Sequence, residues 1–222
     1  FISDFKRLLI PKELERASRF VFEKDQKRFI VSRGLLRSYL SYFSHIAAEE
    51  INITIDNFGK PRLADSQNSS RIVFNLSHSQ DAVIFAFARE IKTGVDIEYI
   101  KKDRSLLDLA KRFFHPDEYR AICDSSLDHS QEYFYSLWTG KEAFIKARGD
   151  GLECPLDSFS IPIPELLPNH HYLHLPDIDN QLYHWGLGAI PCPPQYRASW
   201  VSKLKPIVHS QHYIMNKFEN ID

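Results

Sequence analysis

FNLSHSQDAVIFAFAREIKTGVDIE, residues Phe74 to Glu98, decides how the rest of the chain is read. An apolar run from Asp81 to Arg89 has the character of a buried strand. A Ser-His pair precedes it, and two carboxylates one residue apart follow it in an extended segment, Gly94 to Glu98. Strand side chains alternate, so Asp96 and Glu98 leave one face. A later segment answers this one: WTGKEAFIK, Trp138 to Lys146, carries Trp138, Glu142 and Lys146 on one face of a helix. Like charges this close are costly unless a cation or a lysine stands between them. Three acids and a lysine therefore point to a hard-cation centre that handles phosphate. Each part also has a plainer reading: a solvated acid pair on a strand, a surface Glu142–Lys146 pair four residues apart, and Trp138 as core.

Outward from this stretch, Pro11 to about Glu49 reads as helix with a broad apolar stripe through Phe29, Leu36 and Leu40. Most of its basic residues are expected to be solvated surface; Arg19, Arg28 and Arg33 are the candidates for anion contact. Ile51 to Ile55 is a short strand, and Asn57 to Pro61 a turn in which Gly59 supplies positive φ and Pro61 stiffens Lys60. Arg71 to Leu76, Asp81 to Arg89 and Gly94 to Ile97 are strands. Asp103 to Phe114 is helical, and Pro116 opens the next helix. Ser130 to Ala147 is a long helix with Ser130 as N-cap and Gly149 beyond its end. Strands are expected at Phe159 to Ile163, Tyr172 to Leu175, Leu182 to Ile190 and Tyr196 to Val201. The fold class is α+β, with two similar halves meeting between residues 90 and 100, taken as 1–95 and 96–222.

The 222 residues suffice for a sizeable core, and a formal net charge of −1 gives no global field for nucleic acid or an anionic membrane. Cys123, Cys154 and Cys192 have no paired spacing, which suits a reduced, cytoplasmic protein. No bilayer-length apolar run is present, and charges come too early in Phe1 to Leu9 for the core of a signal peptide. His170, His171 and His174 lack zinc-ligand spacing. Ser77 and His78 are adjacent on a strand, so they face opposite ways and cannot easily form a nucleophile–base pair. Neither a phosphate-binding glycine loop before a lysine nor a dinucleotide fingerprint occurs.

Asn75-Leu76-Ser77-His78-Ser79, Gly94-Val95-Asp96-Ile97-Glu98, Arg112-Phe113-Phe114 and Trp138-Thr139-Gly140-Lys141-Glu142-Ala143-Phe144-Ile145-Lys146, in this order and spacing, resemble the Sfp-type 4'-phosphopantetheinyl transferases. Upstream, Arg16-Ala17-Ser18-Arg19-Phe20 and Gly59-Lys60-Pro61 fit the same pattern, as do Gly149 to Leu152 and Pro155 to Phe159 downstream. The resemblance covers roughly residues 10 to 200.

That resemblance implies a monomer of two pseudo-symmetric halves, each a small antiparallel sheet packed with a long helix, and coenzyme A in the cleft between them. It implies transfer of the 4'-phosphopantetheine arm to a serine of an apo acyl carrier protein or carrier domain, with release of adenosine 3',5'-bisphosphate. Asp96, Glu98 and Glu142 would bind Mg²⁺ or Mn²⁺. Lys60, Ser77 and His78, helped by Arg19, would contact the 3'-phosphate end of coenzyme A, and Lys141 and Lys146 the pyrophosphate. Glu142, Lys146 and Asp96 would be catalytic, and the carrier would dock at Phe113 to Tyr119 and residues 124–129. A different magnesium phosphotransferase or pyrophosphate hydrolase would explain the acids alone, and a non-catalytic adaptor would leave them without a purpose.

Overall fold

The computed structural model describes residues 2–101, 105–149, 151–166, 171–177, 181–203 and 212–217. The helical N-terminal region is three helices: α1 (Ile2–Arg7), α2 (Pro11–Ser18) and α3 (Glu23–Ser44). The continuous helix expected from Pro11 is interrupted because Phe22 is extended, and the Gln26 side chain takes the Ala17 carbonyl at the end of α2 at 3.0 Å. α3 buries Ile30, Val31, Leu36 and Leu40. Its Gly34 receives α1 so closely that a Cβ there would stand 2.6 Å from the Phe5 Cβ.

A short hairpin follows, β1 (Ile53–Ile55) and β2 (Pro61–Leu63), with Gly59 at φ +85° in its turn as the sequence requires. β3 (Ile72–Ser79), β4 (Ala82–Arg89) and β5 (Thr93–Tyr99) come next. Three helices succeed them: α4 (Leu106–Phe113), α5 (Pro116–Asp124) and α6 (Leu127–Arg148). The chain closes with β6 (His171–Pro176), β7 (Leu182–Ala189), β8 (Tyr196–Lys203) and β9 (His212–Lys217).

The strands form two main antiparallel sheets, ordered β3-β4-β9 and β5-β8-β7-β6. Each half packs one 22-residue helix, α3 in the first and α6 in the second. β4 is apolar on both faces because each face is covered. Val83, Phe85 and Phe87 join the α3 core, while Ala82, Ile84 and Ala86 pack against Val95, Ile97 and Ala198 of the second sheet.

Side chains, in place of a backbone ladder, stitch β3 to β5. Val95 N–H donates to Asn75 Oδ1 at 2.9 Å, Ser77 Oγ to Asp96 Oδ1 at 2.7 Å, and Tyr99 N–H to Ser79 Oγ at 3.0 Å. Residues 75, 77 and 79 share a strand face, so one alternating run joins the two halves. Gly94 lets α6 lie directly on β5: a Cβ there would stand 2.1 Å from the Ala143 carbonyl oxygen. Only glycine allows the helix bearing Glu142 and Lys146 to come so near the strand bearing Asp96 and Glu98.

α6 begins one turn earlier than expected, with Ser126 at the N-cap position, and ends at Gly149, φ +94°, as expected. The strand expected at Phe159 to Ile163 does not form. Its Ile161 N–H donates to the Glu118 carboxylate at 2.8 Å, and the Phe159 carbonyl accepts from Lys141 at 2.6 Å, so side chains replace a neighbouring strand. β9, which the sequence pattern did not announce, returns the end of the chain to the first sheet beside β4. Among the described residues no helix is long and apolar enough to cross a membrane.

Candidate active site

The joint between β3, β5 and α6 gathers the polar residues. Asp96 is buried at 3% exposure, and its Oδ1 accepts from Ser77 Oγ at 2.7 Å and from Lys146 Nζ at 2.5 Å. Lys146 Nζ also lies 3.1 Å from Ser77 Oγ. Asp96 Oδ2 is buried with no hydrogen-bond partner. Two residues on, Glu98 Oε2 accepts from Ser79 Oγ at 2.8 Å. Burial raises the Glu98 carboxyl above its ordinary range, and the Asp96 charge raises it further. Glu142 is raised by burial first, then by Asp96 and Glu98, against the lowering pull of Lys146.

The three acids expected to converge thus do act on one another, with Lys146 as their nearest counter-charge. Among the described residues, no three acidic, histidine or cysteine side chains stand close enough as they lie to hold a metal ion. Trp138 is partly buried and packs against the core, stacked on Phe134 at 5.8 Å.

A groove of about 480 Å³ opens beside this centre, lined by Arg16, Arg28, Phe29, Arg33 and His78 among others. Arg28 grips Asp81 with Nη2 at 2.7 Å and Nε at 3.1 Å. The guanidinium groups of Arg16 and Arg33 lie 5.2 and 5.8 Å from the Phe29 ring centroid, so one aromatic ring is in cation–π reach of both. His78 lines this groove, and its pKa is depressed by burial first, then by Lys146 and Arg28.

Four expected ligand positions need correction. Ser77 does not face the groove; it points inward to Asp96 and Lys146, whereas His78, its strand neighbour, points outward. Arg19 is solvent-exposed and pairs with Glu15. The groove takes Arg16 instead, inside α2, whereas Arg19 is the C-cap residue just past its end. Lys141 is fully buried, turned about 100° around α6 from Glu142, and held by Glu118 at 2.8 Å and by the Phe159 carbonyl. It cannot meet a pyrophosphate. Lys60 lies in a separate groove of about 670 Å³ with Asp56, Arg62, Lys92 and Arg148, and its Nζ donates to the Lys146 carbonyl.

The sequence reading missed Glu118, Asp81 and Phe29. Glu118 sits in the first turn of α5, where an acid is unremarkable, and only the fold shows that it is buried.

Fold and centre together define a two-lobed α+β protein whose cationic groove leads to a carboxylate–lysine site. Comparison with known families agrees. The family described as "4'-phosphopantetheinyl transferase superfamily" matches residues 92–201, and "4'-phosphopantetheinyl transferase, N-terminal" matches residues 2–90. The 4'-phosphopantetheinyl transferase HetI of Nostoc sp. (strain PCC 7120) is 38% identical over 68% of this chain and 64% of its own length. The 4'-phosphopantetheinyl transferase ffp of Bacillus subtilis is 38% identical over 71% of this chain and 70% of its own. Sfp of Bacillus subtilis (strain 168) is 35% identical over 81% and 76%. The chain belongs to the 4'-phosphopantetheinyl transferase superfamily. Its activity is that of the family, transfer of the 4'-phosphopantetheine arm of coenzyme A to a serine of an apo carrier protein.

Proposed function

We propose that Asp96, Glu98, Glu142 and Lys146 carry out this transfer, with the nucleotide phosphates of coenzyme A held by Arg16, Arg28, Arg33 and His78. The observation that carries this reading is Asp96. Its Oδ1 is fixed by Ser77 and Lys146, its Oδ2 is buried and unpartnered, and two more carboxylates bear on it.

The donor set fits a hard divalent cation, Mg²⁺ or Mn²⁺, which Asp96, Glu98 and Glu142 would hold. When bound, such a cation supplies charge neutralisation at the diphosphate. In the transfer, the carrier serine oxygen bonds to the phosphorus that bears the pantetheine arm. The bond from that phosphorus to the bridging oxygen breaks, and the oxygen leaves with adenosine 3',5'-bisphosphate. Glu142 receives the serine proton through one water. Lys146 stabilises charge on the departing phosphate.

Carrier domains are acidic helical bundles. Within the expected docking region Phe113 to Tyr119, Phe114 and Glu118 are buried, and the surface that suits such a partner lies just before it on α4, at exposed Leu107, Lys111 and Arg112, with Arg112 lying 5.0 Å over the Phe113 ring. The reading includes a cytoplasmic monomer, and Cys123, Cys154 and Cys192, which form no disulfide, agree with a reducing compartment.

The test is incubation with coenzyme A, Mg²⁺ and a panel of apo carrier proteins, followed by intact mass. A carrier serine that gains the arm supports the reading; cleaved coenzyme A with unmodified carrier would replace it with a hydrolase. Glu142→Gln is expected to lose turnover while coenzyme A still binds by calorimetry, and near-normal turnover would end the role assigned to Glu142.

A further inference from the structure

Lys60 is built into its place with more care than a ligand on a surface turn needs. Asp56 Oδ1 accepts the N–H groups of Phe58 at 3.0 Å and Lys60 at 2.9 Å, and Asp56 N–H donates to the Lys60 carbonyl at 3.0 Å. With Gly59 at positive φ and Pro61 next in line, the turn has little freedom left. From it the lysine side chain crosses from the first half to the second and meets the Lys146 carbonyl at 2.5 Å, 86 residues away.

That carbonyl belongs to the last turn of α6, which ends at Arg148. The last four carbonyls of a helix have no amide partner within it, and they form the negative end of the helix dipole. A cation is the favoured cap there. The same residue, Lys146, is tied through its side chain to Asp96 and Ser77. Its backbone is therefore fixed by the first half, while its ammonium is fixed at the acidic centre.

We infer that Lys60 is a positioning residue, the C-terminal cap of the catalytic helix supplied by the opposite half, and that it sets where Lys146 stands. Asp56 and Lys92 are the charges that bear on it, and burial lowers its pKa to about 8, so at neutral pH it caps as the ammonium. The inference rests on the reading of Lys146 as the group that meets the departing phosphate.

Three variants test it: Lys60→Met, Lys60→Arg and Lys146→Met. The readouts are steady-state kinetics, coenzyme A calorimetry and hydrogen exchange. K60M is expected to lower kcat about tenfold with the coenzyme A Kd within about twofold. Exchange of the amides at the C-terminal turn of α6 should quicken. K60R keeps a cationic donor, is expected to restore part of kcat, and serves as the folded variant should K60M fail to fold. A raised Kd with unchanged kcat would make Lys60 a coenzyme A ligand and overturn the inference. So would exchange that quickens evenly over the whole chain. Full turnover in K146M would instead remove the role of Lys146, and the local exchange result would still report whether the cap exists.

Discussion

Ser77 Oγ donates to Asp96 Oδ1 at 2.7 Å, and both side chains are buried. The bond crosses from a strand of the first sheet to a strand of the second. It lies between Asn75 with Val95 above and Ser79 with Tyr99 below. The alternation Asn-x-Ser-x-Ser is therefore the thread that joins the lobes, and the middle stitch holds the carboxylate around which the centre is arranged. Because Ser77 gives its single proton to Asp96, it can only accept from Lys146, which sits 3.1 Å away.

Ser77→Ala should therefore act on turnover and leave nucleotide binding alone. The buried carboxylate loses one charge-assisted hydrogen bond, worth about 1.5–3 kcal/mol, and Lys146 loses an acceptor. We expect kcat to fall roughly ten- to hundredfold with the coenzyme A Kd within about twofold. Steady-state kinetics paired with calorimetry checks this. A large rise in Kd at unchanged kcat would return Ser77 to the groove.

A second prediction concerns Lys141 and Glu118. Burial pushes the Glu118 carboxyl up and the Lys141 ammonium down, so each needs the other to stay charged. Glu118 also accepts the N–H groups of His115 at 2.9 Å and Ile161 at 2.8 Å. Lys141→Met should cost about 3–5 kcal/mol, since it strands a buried charge. Adding Glu118→Leu should recover only part of this, because the two backbone amides lose their acceptor. Urea unfolding of the single and double variants measures both numbers, and a full recovery would show that the amides found other partners.

How much of this could be read beforehand follows from what sets each feature. Period-two alternation put Asp96 and Glu98 on one face, and the helical period put Glu142 and Lys146 on another; both are local geometry, and both hold. The direction of Lys141 was not local. A lysine next to Glu142 on a helix points about 100° away from it, and whether that direction is solvent or core depends on Phe159 and Glu118, far along the chain. Arg19 and Arg16, at the end of α2, show the same limit. Composition marks a basic helix, and only the packing against Phe29 selects the arginine that faces the groove. β9 was hidden because its only warrant is the free edge of β4.

The groove arginines give a third prediction. Arg28→Ala and Arg33→Ala should each raise the KM for coenzyme A about tenfold or more and leave kcat nearly unchanged, because a cation touching only the nucleotide contributes binding common to ground and transition states. The effect should shrink with rising salt. Asp81→Ala should raise KM by a smaller factor, since Arg28 would lose the carboxylate that fixes its plane. A kcat loss in R28A as large as its KM change would mean that Arg28 reaches the reacting phosphate.

The last prediction separates stability from activity through pH. The Lys60 pKa falls from an ordinary 10.5 to about 8 in the folded protein, chiefly by burial, with Asp56 opposing and Lys92 adding to the fall. Between these two values the unfolded chain binds more protons at this group than the folded chain does. Its contribution to stability therefore rises with pH from about 8 to 10.5 and is fully present above that range. Lys141 is depressed as well, so the test is the difference between wild type and Lys60→Met, in which only the Lys60 part of the slope disappears. Turnover should move the opposite way. Above pH 8 the cap on α6 loses its charge, so kcat of the wild type should decline on a limb that K60M lacks. Urea midpoints and kcat measured over the same pH series check the two signs together. A common limb in both proteins would assign that titration to some other group.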